Sequence, residues 1–142
     1  MPEGHANMTS YGIKASNLFR KSMFVCTNFQ KLEGSLPGHN LPKAIGEVRA
    51  VYFNNPGTLE DALIFATNGI WHLGPREAQH IPYTAITGVT SPTGKTASQT
   101  SEIDIQLTEG KLMTLPIRGG DGRFRDYFSM MTAIQGLVRL NT

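Results

Sequence analysis

In SEIDIQLTEG, residues 101–110, Ile103, Ile105 and Leu107 alternate with Glu102, Asp104 and Gln106. A period of two makes one side of a strand dry and the other wet, as in an antiparallel strand lying over a core. Glu109-Gly110 turns the chain, and KLMTLPIR returns as the antiparallel mate. The same period begins upstream at Glu47. EVRAVYF alternates, and the turn-rich, acidic NNPGTLED then breaks the pattern. ALIFATNGIWHL reads as a hairpin about Asn68-Gly69, because both residues tolerate the positive φ that a type I′ turn demands. GPRE makes a further turn. AQHIPYTAITGV follows as a strand broken near Pro82, since proline cannot donate to a ladder. Six strand segments in a meander, with no helix between them, exclude a parallel doubly wound sheet.

The period changes in GGDGRFRDYFSMMTAIQGLVRL. Phe124, Tyr127, Phe128, Met130, Met131, Ile134, Leu137 and Val138 share one half of a helical wheel. Arg125, Ser129, Thr132 and Arg139 fall opposite, Gly136 is read on the exposed side, and Asp121 is the expected N-cap. A helix this apolar on one side must lie against the sheet. Near the N-terminus, ASNLFRKSMFVCTNFQKLE (15–33) also has helical spacing, with Ser16 as its cap; a strand through SMFVCTNF competes. GSLPGHNLPK is a connector. The expected layout is a disordered leader over 1–14, a helix and connector over 15–43, and a domain over 44–142. That domain is α+β and mostly β: a strongly bent antiparallel sheet or partly open barrel capped by one C-terminal helix.

Composition narrows the function classes. The net charge is +2, with Lys and Arg scattered from Lys14 to Arg139 and no basic stripe, so nucleic acid is not expected. Cys26 is the single cysteine, which excludes an internal disulfide and a cysteine-rich zinc site. MPEGHANMTSYGIK lacks the basic start and apolar run of a secretory signal, and no segment reaches the roughly 20 apolar residues of a membrane span. A cytoplasmic setting is expected.

Motifs for chemistry are thin. Gly94-Lys95-Thr96 matches the end of a phosphate loop, but Val89 stands at the first glycine position and the next element is a strand, not a helix. No nucleotide or other cofactor is expected. His5, His39, His72 and His80 show no metal spacing, so no metal is expected. Glu102 and Asp104 are the wet set of a strand. Cys26 lies on an apolar helical side, the place of an inert thiol. G-x-S-x-G is absent. No convergent acid, base and oxyanion donor set emerges, and a catalyst is not expected.

ALIFATNGIWHL, IPYTAITGV, IDIQLTEGKLMTLPI and the terminal helix together resemble the small bacterial PH-like and GRAM-like domains of the pleckstrin-homology superfold, over about residues 44–141. The resemblance implies seven strands with a helix plugging one end; the seventh comes from splitting residues 79–90 at Pro82 or from the N-terminal region. It also implies a non-catalytic module that binds a protein or peptide, in a groove beside the helix or by strand addition. Lys43 and Arg49 echo the family's phosphoinositide motif, but Val51 replaces its last cation and NNPGTLED supplies acids. A bacterial source is implied as well. Three alternatives accompany this reading. One is an immunity-type protein masking a toxin or enzyme. Another is a ligand-binding barrel or enzyme with a pocket near His72, Trp71 and Tyr83. The last is weak attraction of Arg118, Arg123 and Arg125 to a partner or an anionic membrane, diluted by Asp121 and Asp126.

Overall fold

A computed structural model describes residues 2–34, 41, 43–90, 102–117 and 123–142. Helix α1 spans Pro2–Ser22 and is followed by five strands, β1 (Phe29–Gly34), β2 (Val48–Tyr52), β3 (Leu63–Ala66), β4 (Gly69–Leu73) and β5 (Ala78–Ile81). These form one antiparallel sheet in the order β1-β2-β3-β4-β5. A short 3-10 turn at Tyr83–Ala85 leads to a second antiparallel sheet of β6 (Ile86–Thr90), β7 (Glu102–Leu107) and β8 (Leu112–Pro116). Helix α2, Arg123–Asn141, closes the chain. The architecture is therefore α+β, with two open antiparallel sheets and a C-terminal helix packed on them.

The extra strands have plain causes. Pro82 has no N–H to give a ladder, and it stands between β5 and β6, so the segment read as one broken strand becomes two in different sheets. The eighth strand is β1, and it corrects the helix expected over 15–33. That helix stops at Ser22, and Phe29–Gly34 pairs antiparallel with β2, Phe29 opposite Tyr52. Phe29 packs against the main core and Leu32 enters the outer one, two burials from one strand that a helix would have put on a single side. At the other end α1 begins at Pro2, through the segment read as a leader; Ser16, read as its cap, sits mid-helix with its Oγ donating to the Ile13 carbonyl.

Apolar side chains occupy both faces of the large sheet. Ala50, Tyr52, Leu63, Phe65 and Ile70 point into the main core with Ile103, Ile105 and Leu115 of the small sheet. Phe19 of α1, Met23 just after its end, and Tyr127, Met130, Ile134 and Leu137 of α2 fill the same core, each contributing about 1.5–3 kcal/mol gross on burial. Val48, Val51, Ile64, Ala66 and Trp71 form an outer core with Leu32 and Ile45. Val48 and Val51 reach one face despite odd spacing because the ladder shifts register between Val48 and Ala50.

Two helical glycines set how closely α1 sits. A Cβ on Gly12 would lie 1.9 Å from the Thr67 carbonyl oxygen, so α1 crosses the β3–β4 turn at a distance only glycine permits. Gly136 faces Leu18 of α1, which corrects its placement on an exposed side. Asn141 ties the ends together. Its Nδ2 donates to the Tyr83 and Ile86 carbonyls at 3.0 and 3.2 Å, and the Tyr11 hydroxyl donates to its Oδ1.

The turns exchange roles. The β3–β4 connection is Thr67-Asn68, and among described non-glycine residues only Asp61 and Glu109 have positive φ, so Asn68 does not form the expected type I′ turn. Its side chain clips the segment just before β2 instead, accepting from Gly46 N–H and donating to the Ala44 carbonyl. Glu109 and Gly110 have φ of 64° and 73°, the pair of positive values that a type I′ turn requires.

Candidate docking surface

The residues singled out for chemistry are separated by the fold. Trp71 belongs to the outer core, stacked on His80 at 4.1 Å, with its Nε1 donating to Asn68 Oδ1. Tyr83 is buried in the main core on the other side of the sheet, its hydroxyl donating to the Ala66 carbonyl at 2.7 Å. They do not share a pocket. His72 stands apart from both in its contacts, with Nε2 3.3 Å from Asp61 Oδ1 and a buried Nδ1 that has no partner among the described residues. A histidine oriented by a carboxylate is two-thirds of a nucleophilic constellation, but no described nucleophile bonds to this one. Arg49 is tucked beneath α1, where its guanidinium donates to Ser16 Oγ and Asn17 Oδ1 and pairs with Glu33. Among the described residues, no cluster of three or more His, Cys, Asp and Glu is placed to hold a metal.

Of the three arginines, Arg118 lies outside the described residues, and Arg123 opens α2. Arg125 is exposed, and its Nη1 donates to the Val25 carbonyl at 3.3 Å. This bond joins the first turns of α2 to the turn between α1 and β1. Asp126, expected to dilute the basic cluster, points the other way and is 1% exposed. The Tyr52 hydroxyl donates to its Oδ2 at 2.5 Å. The Cys26 thiol faces the same carboxylate; burial first, then the Asp126 charge, pushes its pKa up to about 12. A thiol held protonated in this way is a donor to Asp126 and a poor nucleophile.

With Asp126 withdrawn, the outer side of this junction is apolar and basic. Phe24 is 63% exposed and Val25 42%, both in the turn that Arg125 grips. Phe128, one helical turn beyond Arg125, is 37% exposed. Lys31 of β1 places its Nζ 5.8 Å from the centre of the Phe24 ring, and Lys21 lies in the last turn of α1. Among the described residues, no carboxylate forms an ion pair with Lys21, Lys31 or Arg125; Glu33 is taken by Arg20 and Arg49. Helical spacing places Val25 and Phe128 on the apolar halves of their wheels and does not place Phe24 there. The exposure of Phe24 and Val25 follows from the α1 terminus at Ser22, which periodicity alone does not locate.

No helix among the described residues is long and apolar enough to cross a membrane. No family model, curated protein or solved structure matches this chain.

Proposed function

We propose that this chain is a non-catalytic protein-binding module of pleckstrin-homology-like fold, and that its partner docks on Phe24, Val25, Arg125 and Phe128. Element order supports the fold half of the reading. Leaving aside α1 and β1, seven antiparallel strands in two sheets lead into one helix, as the resemblance implies.

One observation carries the functional half: three large apolar side chains are exposed to different degrees beside cations that form no ion pair among the described residues, on two elements joined by the Arg125–Val25 bond. Exposed apolar residues that are contiguous and rimmed by charge mark interaction sites. Phe and Arg are among the residues enriched at interfaces. Burying Phe24 would contribute about 1.5–3 kcal/mol, enough to make it an energetic anchor. Charge complementarity favours a protein partner with an apolar socket bordered by Asp or Glu.

The full chain carrying an affinity tag tests this in the native host. A discrete protein retained by wild type, weakened by salt and lost with Phe24→Asp and with Arg125→Glu, is the expected result. Retention unaffected by either substitution would contradict the reading. So would association with phosphatidylserine vesicles and with no protein.

A further inference from the structure

A different part of the molecule has the opposite charge. The loop before β3 and the turn between β4 and β5 enclose a shallow groove of about 730 Å³. Leu41, Leu59, Leu73 and Ala78 line it and pack onto the outer core. Glu60, Asp61 and Glu77 stand around them with one cation, Arg76. Asp61 is built into the rim. It takes the left-handed backbone at φ 59°, its N–H donates to the Leu73 carbonyl, and its carbonyl accepts from Asn54 Nδ2 at 2.7 Å. Its carboxylate lies beside His72, which leaves Glu60 and Glu77 as the exposed acids.

The groove runs into the start of β5, the last strand of the large sheet, which pairs only with β4 among the described strands. Backbone donors and acceptors on the outer edge of such a strand are a template for another extended chain. We infer that this groove is a second docking site, for an extended peptide that carries Lys or Arg between apolar residues and lies along the edge of β5. The apolar floor takes alternate side chains, as in strand addition generally, and the acidic rim selects cations over anions. A shallow opening of this shape lacks the enclosure that a small ligand needs. The site shares no residue with the Phe24 surface, so either reading stands or falls alone.

Peptides of about ten residues displayed at random and selected on the full chain provide the probe. Enrichment of Lys or Arg among apolar residues is expected, with affinity falling at least about tenfold for the double variant Glu60→Lys, Glu77→Lys. Both acids are exposed, so thermal unfolding of that variant should match wild type and separate lost binding from lost folding. Leu59→Asp should also abolish retention. Amide exchange across Ala78–Ile81 should slow when the selected peptide binds. No enrichment over the Leu59→Asp protein would overturn the inference, as would acidic binders, or binders that hold the double variant equally well.

Discussion

Asp126 follows Arg125 in a helix whose polar side looks like ordinary surface, yet it is buried against Tyr52 and Cys26. A helical wheel assigns faces from apolar residues alone, and it cannot see a hydroxyl and a thiol arriving from β2 and from the α1–β1 turn. A buried carboxylate with donors is tolerated; without them it is costly. The same contact gives a pH dependence. Cys26 has its pKa raised from 9.0 to about 12, so between these values the unfolded chain has lost a proton that the folded chain keeps. Its contribution to stability is complete below pH 9 and declines as pH rises toward 12. Tyr11, Tyr83 and Tyr127 are also raised, by burial first, and act with the same sign. Chemical denaturation across this range should show falling stability. Cys26→Ala should remove up to about 1.4 kcal/mol per pH unit of that slope. An unchanged slope would mean that the thiol ionises as readily folded as unfolded.

Among the elements, the period-two strands were legible because each has a face over a core and a turn at its end. Pro82 marked the break between sheets for a covalent reason. The strand β1 was not legible: Phe19, Met23, Cys26 and Phe29 recur at three or four residues and satisfy a helix equally well. What decides against it is pairing with β2, a long-range term that local spacing does not carry. The docking of α1 is likewise hidden, since a glycine in a helix reads only as a weak point. Gly12 and Gly136 give that docking opposite signs. Gly12→Ala drives a methyl onto the Thr67 backbone and should cost about 1–3 kcal/mol or more. Gly136→Ala places its methyl 3.4 Å from the flexible end of Leu18 and should stabilise by up to about 1 kcal/mol through helix propensity. Urea denaturation of the two variants checks the contrast; equal costs would place α1 farther from the sheet than described.

At the scale of the whole molecule, two open sheets leave edges, and the two helices cover the main core, while the α1–β1 turn buries Met23 and Cys26 in it and exposes Phe24 and Val25. The meander and its closing helix were legible from period alone. The candidate surface was not, because Val25 and Phe128 carry the helical spacing of core residues, and Phe24 and Val25 are exposed by the end of α1 at Ser22. Arg125, expected at a partner or anion surface, bonds the Val25 carbonyl and so ties the turn to α2. Leu112 supplies an internal control: at 59% it is nearly as exposed as Phe24, but it opens β8, on neither of the two elements that the Arg125–Val25 bond joins. The most direct measurement is photo-crosslinking in the native host, from a benzophenone side chain at position 24 and, separately, at position 112. A discrete protein adduct from position 24, absent from position 112 and lost with Arg125→Glu, is the result predicted. Equal adducts from both positions, or none from position 24, would contradict the account.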